Sequence, residues 1–205
     1  MEHKWLEWAT RLQSIAQAGL TFSTNSYDLD RYKQIRELSF EIMHEHTGVS
    51  TEKIASVFEC ETGYQTPKVD IRSAVFKEGK ILLVREKLDG AWAMPGGWAD
   101  VNTSPAESAV RECLEEAGAV VRPRRVVAVH LASRQNSHVG PYTIYKIFFE
   151  CELVRFNFTE NTETLDAAFF PPDALPPLST ERTMEEQVKL CFNASKHELF
   201  EPEFD

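Results

Sequence analysis

The segment 96–119 constrains the fold of this chain more than any other part of the sequence. It opens with two glycines and continues into a stretch typical of an amphipathic helix. Ser104 and Glu107 have the spacing of a capping box, Pro105 suits the first helical position, and Gly118 supplies a stop signal. The sequence therefore predicts a tight turn that leads into a helix with defined ends.

Three glutamates lie close together near the end of this predicted helix. Glu112, Glu115 and Glu116 share neighbouring parts of one surface, because residues three and four apart meet on a helix. Two such charges at 4 Å repel by about 1 kcal/mol in water and roughly 4 kcal/mol near a protein surface. The negative end of the helix dipole adds to this repulsion. A hard divalent cation with oxygen ligands would neutralise the cluster, and Mg²⁺ is the first expectation.

This segment resembles the signature of the Nudix hydrolase family, G-x5-E-x7-R-E-U-x-E-E-x-G-U, in which U is an apolar residue. The matching positions are Gly97, Arg111, Glu112, Glu115, Glu116 and Gly118, with Cys113 and Ala119 in the apolar places. One position departs from the signature: Thr103 stands where the family has its first glutamate, and it is a poor ligand for a hard cation. The resemblance implies an α+β fold, the Nudix α/β/α sandwich, here with an N-terminal helical module.

The resemblance also implies a reaction, in which water attacks a diphosphate with the help of a bound cation. Mg²⁺ is the expected cofactor, and Mn²⁺ is expected to substitute for it. The implied metal ligands are Glu112, Glu115, Glu116 and the carbonyl of Gly96. The implied catalytic residues are Glu115, Glu116, Arg111 and a loop acid, Glu163, as candidate general base. Glu115 remains open as either a ligand or the group that handles the proton, and Arg111 is expected to orient the glutamates.

Substrate contacts are expected from residue types, since no further motif marks them. Gly97 would let the backbone approach the diphosphate closely. Aromatic side chains stack on bases, and arginines bind phosphate. The candidates on these grounds are Trp98, Tyr145, Arg72, Arg85 and Arg134.

Similarity beyond the signature indicates one bacterial subgroup of the family. It involves the N-terminal helices, the junction around 61–70 and the stretch 169–179. The subgroup hydrolyses nucleoside diphosphates linked to another moiety and includes CDP-choline and ADP-ribose pyrophosphatases; UDP-sugars are further candidate substrates. Its helical N-terminal region is used in dimer formation. We therefore expect a helical dimerisation module over 1–65, a Nudix domain over 66–205 and a homodimer.

Composition and charge argue against a membrane protein, a secreted protein and a general nucleic-acid-binding protein. The chain has 205 residues, of which 42% are hydrophobic and 26% charged, as in ordinary globular proteins. No apolar run approaches the roughly 20 residues of a membrane span, and no secretory signal is evident, so cytoplasmic residence is the default expectation. The formal charge of −10 argues against broad nucleic-acid binding. It also means that an anionic small-molecule substrate would need local neutralisation of its charge, which a bound metal would supply.

Hydrophobic periodicity predicts helices over residues 1 to about 64, a linker over 61–67 and strands from Lys68 onward. The predicted strands cover 69–76, 81–84, 91–94, 125–132, 142–153 and 167–170, and a last helix covers about 180–194. Two other functions stay open at this stage. One is a house-cleaning nucleoside triphosphate pyrophosphatase; the other is a non-catalytic nucleotide sensor, which Thr103 favours and the intact R-E-x-x-E-E sequence disfavours.

Overall fold

The computed structural model describes residues 4–59, 61–135 and 140–205. The chain forms two compact units within these ranges. One comprises the residues up to 67 together with 140–143, and the other comprises 68–135 and 144–205. None of the helices in the described ranges combines the length and apolar character that crossing a membrane would require.

The first unit is helical. Its helices are α1 (Lys4–Phe22), α2 (Ser26–Thr47) and α3 (Thr51–Glu59). Asn25 caps α2 by accepting hydrogen bonds from the backbone N–H groups of Tyr27 and Asp28. A small apolar core joins the helices and consists of Ala9, Phe40, Met43, Ile54 and Phe58.

One face of α1 carries large apolar side chains that this unit does not cover. Trp8, Ile15 and Phe22 are 56%, 54% and 67% exposed. They recur every seven residues, so they lie along one side of the helix. We call these three residues the α1 stripe.

The second unit is built on a mixed sheet of seven described strands. They are β1 (Lys68–Lys77), β2 (Lys80–Glu86), β3 (Trp92–Ala93), β4 (Ala119–Leu131), β5 (Ile144–Phe156), β6 (Thr164–Phe170) and β7 (Glu203–Phe204). The strand order is β3-β2-β1-β5-β4-β7, and β6 pairs with β2. The central pair, β1 and β5, is parallel, with Lys68 opposite Ile144.

Helices pack on both faces of this sheet. They are α4 (Pro105–Ala117) and α6 (Glu185–Ser195), while a short helix, α5 (Ala132–Gln135), follows β4. Leu82 and Val84 of β2 join the apolar cluster that contains residues of α4. The alternate residues Ile81 and Leu83 join the cluster that contains residues of α6. This alternation is what a strand covered on both faces requires.

Helix α4 has the predicted ends. Ser104 accepts a hydrogen bond from the backbone N–H of Glu107, whose side chain accepts one from the Ser104 N–H, so the predicted capping box is confirmed. Gly118 ends the helix in the left-handed conformation with φ 60°. A Cβ at this position would collide with the carbonyl group of Asn157, so glycine is required for space as well as conformation.

Several predicted boundaries were wrong. The last helix begins at Glu185 instead of about residue 180, because residues 179–183 form a turn: the Thr183 N–H donates to the Ser179 carbonyl at 2.7 Å. Strand β4 begins at Ala119 and not at residue 125, since its first residues pair with the far end of β5. Strand β7, which pairs with β4, was not predicted.

Candidate active site

A cavity of about 440 Å³ lies within the second unit, beside the glycine turn and α4. Acidic and basic side chains share its wall. The acids are Asp70, Asp100, Glu112, Glu115, Glu116, Glu163 and Glu181, and the bases are Arg72, Arg111, Lys146 and Arg182. Gly96, Gly97, Trp98, Ala132 and Ile144 complete the described lining.

The glycine turn is fixed to strand β1 by backbone hydrogen bonds. The Ile71 N–H donates to the Gly97 carbonyl at 2.8 Å, and the Ser73 N–H donates to the Pro95 carbonyl at 2.9 Å. Gly96 has φ 145°, and a Cβ there would collide with the carbonyl of Ile71. The close approach of turn and strand therefore depends on glycine at this position.

Two of the three clustered glutamates are buried against this turn. Glu112 is 7% exposed and Glu116 is 3% exposed. The Gly96 N–H donates to Oε2 of Glu116 at 2.8 Å. Burial raises the pKa of Glu116 to about 8, although Arg72 and the Gly96 N–H oppose the shift. The turn thus holds a carboxylate in a place where its negative charge is poorly compensated.

The remaining carboxylates of the cluster are held by Arg111. Its guanidinium donates to Glu115 Oε2 at 2.9 Å and to Glu112 Oε1 at 2.8 Å, and it lies 3.0 Å from Asp100 Oδ2. Burial raises the pKa of Glu112, Arg111 lowers it, and Glu115 and Glu163 raise it further. Arg111 therefore compensates part of the repulsion on this surface of α4.

The donor set has the chemistry of a site for a hard divalent cation, since its side-chain donors are carboxylate oxygens. Across the ranges that the structure describes, however, no group of three or more His, Cys, Asp or Glu side chains is arranged so that it could hold a metal ion. In this arrangement Arg111 engages one oxygen each of Glu112 and Glu115, and the Gly96 N–H engages one oxygen of Glu116. The carboxylate oxygens that a cation would need are present, and one oxygen of each glutamate accepts a hydrogen bond from the protein itself.

Another part of the cavity wall is a network of buried charges. Arg72 forms a bidentate pair with Asp70, with N–O distances of 3.0 and 2.9 Å. Lys146 donates from Nζ to the carbonyls of Glu181 and Arg182 at 3.1 and 2.6 Å. Burial lowers the pKa of Lys146 to about 8, and the charge of Arg72 adds to this effect while Asp70 opposes it.

Arg182 lines the cavity and also forms an ion pair with a buried carboxylate, that of Glu86. Its Nη1 lies 3.2 Å from Oε1 of Glu86, which is 3% exposed. Burial raises the pKa of Glu86, and Arg182 is the largest influence in the opposite direction. Arg182 therefore provides positive charge both to the cavity and to a buried carboxylate.

The structure brings together most of the predicted site residues. Those that line the cavity are Arg72, Gly96, Gly97, Trp98, Arg111, Glu112, Glu115, Glu116 and Glu163. Arg85, Arg134 and Tyr145 are not among the described residues that line this cavity, and their role in substrate binding stays a prediction. Tyr145 lies between Ile144 and Lys146 on β5, and alternate strand residues point to opposite faces. Arg85 instead donates from Nε to the Gly90 carbonyl at 2.9 Å, and Arg134 is exposed on α5.

Sequence reasoning missed several charged residues of the cavity wall, among them Asp70, Asp100 and Arg182. Asp70 precedes Arg72 by two residues on one strand, and this spacing places both side chains on the same face. That signal was available. Asp100 stands at an unspecified position of the signature and Arg182 comes from a distant part of the chain, so neither carries a comparable local signal.

Comparison with known proteins identifies the family of this chain. The family model of the NUDIX domain matches residues 58–191, and the model of a UDP-X-like, N-terminal oligomerisation domain matches residues 3–58. The chain belongs to the Nudix hydrolase family. Both the family and the α+β fold predicted from the sequence are confirmed, and Nudix hydrolases generally use divalent metals.

Three similar proteins cover much of this Nudix hydrolase. The Bacillus subtilis protein YjhB, named as a candidate ADP-ribose pyrophosphatase, is 45% identical over 198 residues, which are 96% of this chain and 95% of that protein. An ADP-ribose pyrophosphatase structure from Streptococcus suis is 44% identical, with a TM-score of 0.64 over 68% of this chain and 100% of that one. A UDP-X diphosphatase structure is 31% identical, with a TM-score of 0.65 over 98% of each chain.

Proposed function

We propose that this Nudix hydrolase cleaves the diphosphate bond of nucleoside diphosphates linked to another moiety and releases a nucleoside monophosphate. The observation that carries the proposal is the burial of Glu112 and Glu116 beside the glycine turn, in a cavity large enough for a small ligand. The names of the similar proteins support the same class of substrate. We place ADP-ribose, CDP-choline and UDP-linked sugars in this class as candidate substrates.

The cofactor in this proposal is Mg²⁺, which Mn²⁺ can replace. Glu112, Glu115, Glu116 and the carbonyl of Gly96 would hold it, once the donors that now engage the carboxylates give way. When bound, the cation would neutralise negative charge on the diphosphate and lower the pKa of bound water. Thr103 is not among the described lining residues, which favours a site that works without a carboxylate at that position.

Other side chains of the cavity would orient the glutamates, accept a proton and bind the substrate. Arg111 would orient Glu112 and Glu115, as its present hydrogen bonds suggest. A carboxylate oxygen of Glu163 would accept the proton of the attacking water, and Glu115 is the alternative for that role. Arg182 would bind a phosphate oxygen, and Trp98, which is 53% exposed at the cavity, would stack on the base.

The function can be tested with purified protein and Mg²⁺. ADP-ribose, CDP-choline, a UDP-sugar and deoxynucleoside triphosphates are supplied separately, and the released monophosphate is measured. We expect cleavage of at least one diphosphate-linked substrate and its loss on adding EDTA. Cleavage of the triphosphates alone would contradict the proposal and favour a triphosphate pyrophosphatase.

A matched pair of variants tests the glutamate cluster. Glu116→Gln should lower kcat by roughly 100-fold or more while the circular dichroism spectrum is retained. Glu107→Gln is the control, because Glu107 lies on the same helix, is exposed and serves the capping box, which glutamine also allows. Near-normal activity of Glu116→Gln would contradict the assigned site.

We also propose that residues 1–65 form the dimerisation module and that 66–205 form the catalytic domain. The α1 stripe supports this role, because exposed apolar side chains in a row are typical of surfaces that another chain covers. The description of the family model that matches residues 3–58 as an oligomerisation domain points the same way.

A further inference from the structure

The loop between β5 and β6, which carries Glu163, is attached to the end of α4 by the side chain of Asn161. Asn161 donates from Nδ2 to the carbonyls of Glu115 and Glu116 at 3.0 and 3.3 Å. Its Oδ1 accepts from the backbone N–H groups of Glu163 and Thr164 at 2.9 and 3.0 Å. Only this orientation of the amide pairs its donor with carbonyls and its acceptor with N–H groups.

Thr164 strengthens the same attachment. It is fully buried, and its Oγ1 donates to the Glu116 carbonyl at 2.7 Å while accepting from Asn161 Nδ2 at 2.7 Å. The last carbonyls of a helix lack partners within the helix, so external donors such as these satisfy them. The loop is also held from its other side, where the Lys87 N–H donates to the Glu163 carbonyl at 2.9 Å.

The side chain of Glu163 depends on this support. It is exposed and lines the cavity, and within the described ranges its carboxylate makes no hydrogen bond or ion pair. The backbone of its loop therefore fixes where the carboxylate can reach. Asn161 connects that backbone directly to the backbone carbonyls of Glu115 and Glu116 at the end of α4.

The geometry points to Asn161 as a positioning residue, which sets the distance between the Glu163 carboxylate and the glutamate cluster of α4. The inference rests on the proposed function, in which Glu163 accepts a proton. A misplacement of about 1 Å can lower a catalysed rate by roughly 100-fold, so a side chain that fixes such a distance affects turnover without touching substrate.

Three substitutions separate the parts of this contact. Asn161→Ala removes both halves of the amide. Asn161→Asp keeps an oxygen for the N–H groups of Glu163 and Thr164 but replaces the donor with a second oxygen facing the α4 carbonyls. Asn157→Ala is the control, because Asn157 is exposed in the same loop and its side chain makes no hydrogen bond within the described residues.

Kinetics test whether Asn161 acts through Glu163. We expect Asn161→Ala and Asn161→Asp to lower kcat about tenfold with KM changed by less than about twofold, and Glu163→Gln to lower kcat by about 100-fold. The double variant Asn161→Ala/Glu163→Gln should be no slower than Glu163→Gln alone. The inference would be overturned if the double variant showed the product of the two single losses in kcat. Full activity of Asn161→Ala or of Glu163→Gln would overturn it as well.

Metal affinity tests the competing explanation that Asn161 acts by shaping α4. We expect the affinity of Asn161→Ala for Mn²⁺, measured by electron paramagnetic resonance, to differ from that of the wild type by less than about twofold. A loss of Mn²⁺ affinity as large as the loss of kcat would overturn the inference.

Amide exchange tests the attachment independently of activity. We expect the amides of Glu163 and Thr164 to exchange at least tenfold faster in Asn161→Ala than in wild type, measured by NMR, and to be unchanged in Asn157→Ala. Unchanged exchange at both amides overturns the inference even if the wild type is fully active. If the amides exchange faster in Asn161→Ala but the wild-type protein cleaves none of the substrates, the attachment is supported and the proposed function is contradicted.

Discussion

At the scale of single residues, the charges in the cavity wall make stability depend on pH. Lys146 has a pKa lowered to about 8 in the folded chain, mainly by burial, whereas an unfolded lysine titrates near 10.4. Between these values the unfolded chain binds more protons than the folded one. The contribution of Lys146 to stability should therefore rise with pH across this window, by up to about 1.4 kcal/mol per pH unit, and stay level below it.

Lys146→Met should remove this dependence. We expect the difference in unfolding free energy between Lys146→Met and wild type to become more unfavourable for the variant as pH rises from about 8 to 10. Urea unfolding at several pH values measures it. Lys77→Met, at an exposed lysine on β1, is the control and should show no such trend. A difference that is constant with pH would contradict the assigned charge state.

The pair of Arg182 and Glu86 gives a second prediction at this scale. Arg182→Met leaves the buried Glu86 carboxylate without its nearest cation, so we expect a loss of about 1–3 kcal/mol in unfolding free energy. Adding Glu86→Gln should recover part of that loss, because a neutral amide costs less to bury. Urea unfolding of the single and double variants checks both points.

Arg124→Met provides the comparison for an exposed pair. Arg124 lies 3.9 Å from Glu152, and both side chains are more than half exposed. An exposed pair contributes about 0–1 kcal/mol, so this variant should stay close to wild type. Equal losses in Arg182→Met and Arg124→Met would contradict the importance of burial at Glu86.

At the scale of elements, the end of α4 depends on space as well as on backbone conformation. Gly118→Ala meets the carbonyl group of Asn157, whereas Gly79→Ala, at φ 74° in the turn between β1 and β2, meets nothing within 4 Å. Both variants place alanine in the left-handed backbone conformation, which costs about 1–2 kcal/mol of folding free energy. Gly118→Ala should therefore lower the melting temperature clearly more than Gly79→Ala. Equal shifts in melting temperature, followed by circular dichroism, would show that the contact with Asn157 relaxes freely.

Elements with local signals could be predicted from the sequence, and elements that depend on distant partners could not. Helix α4 has its cap, first proline and stop glycine within its own segment, so its ends were predicted correctly. The start of α6 was misplaced, since the turn before it is stabilised from elsewhere: Thr183 Oγ1 accepts from the Met94 N–H at 3.0 Å. Strand β7 has only two residues and exists through its pairing with β4.

The same distinction applies to the candidate site. The signature indicated the glutamates of α4 and the glycine turn, because they are close in sequence. It could not indicate that the Gly96 N–H binds Glu116, or that Arg111 reaches Asp100 as well as the glutamates. Arg182 reaches the cavity through contacts between distant parts of the chain, which no local pattern encodes, whereas the spacing of Asp70 and Arg72 on β1 was a local signal.

At the scale of the whole molecule, the α1 stripe makes oligomeric state a testable property. We expect a dimer by size-exclusion chromatography with light scattering, and we expect Ile15→Glu or Phe22→Glu to convert it to monomers by placing charge on a covered apolar surface. Leu199→Glu is the control, because Leu199 is 95% exposed and belongs to the other unit. A dimer that survives both stripe variants would assign the contact to another surface.

The parallel pairing of β1 with β5 also affects how the chain can fold during synthesis. Lys68 pairs with Ile144, so the middle of the sheet cannot close until the ribosome has released most of the second unit. The helices of the first unit make their contacts over shorter stretches of chain and can form earlier. For a time the nascent chain therefore holds β1 and β2 without the central partner of β1, and this interval is the one in which a chaperone would be of most use.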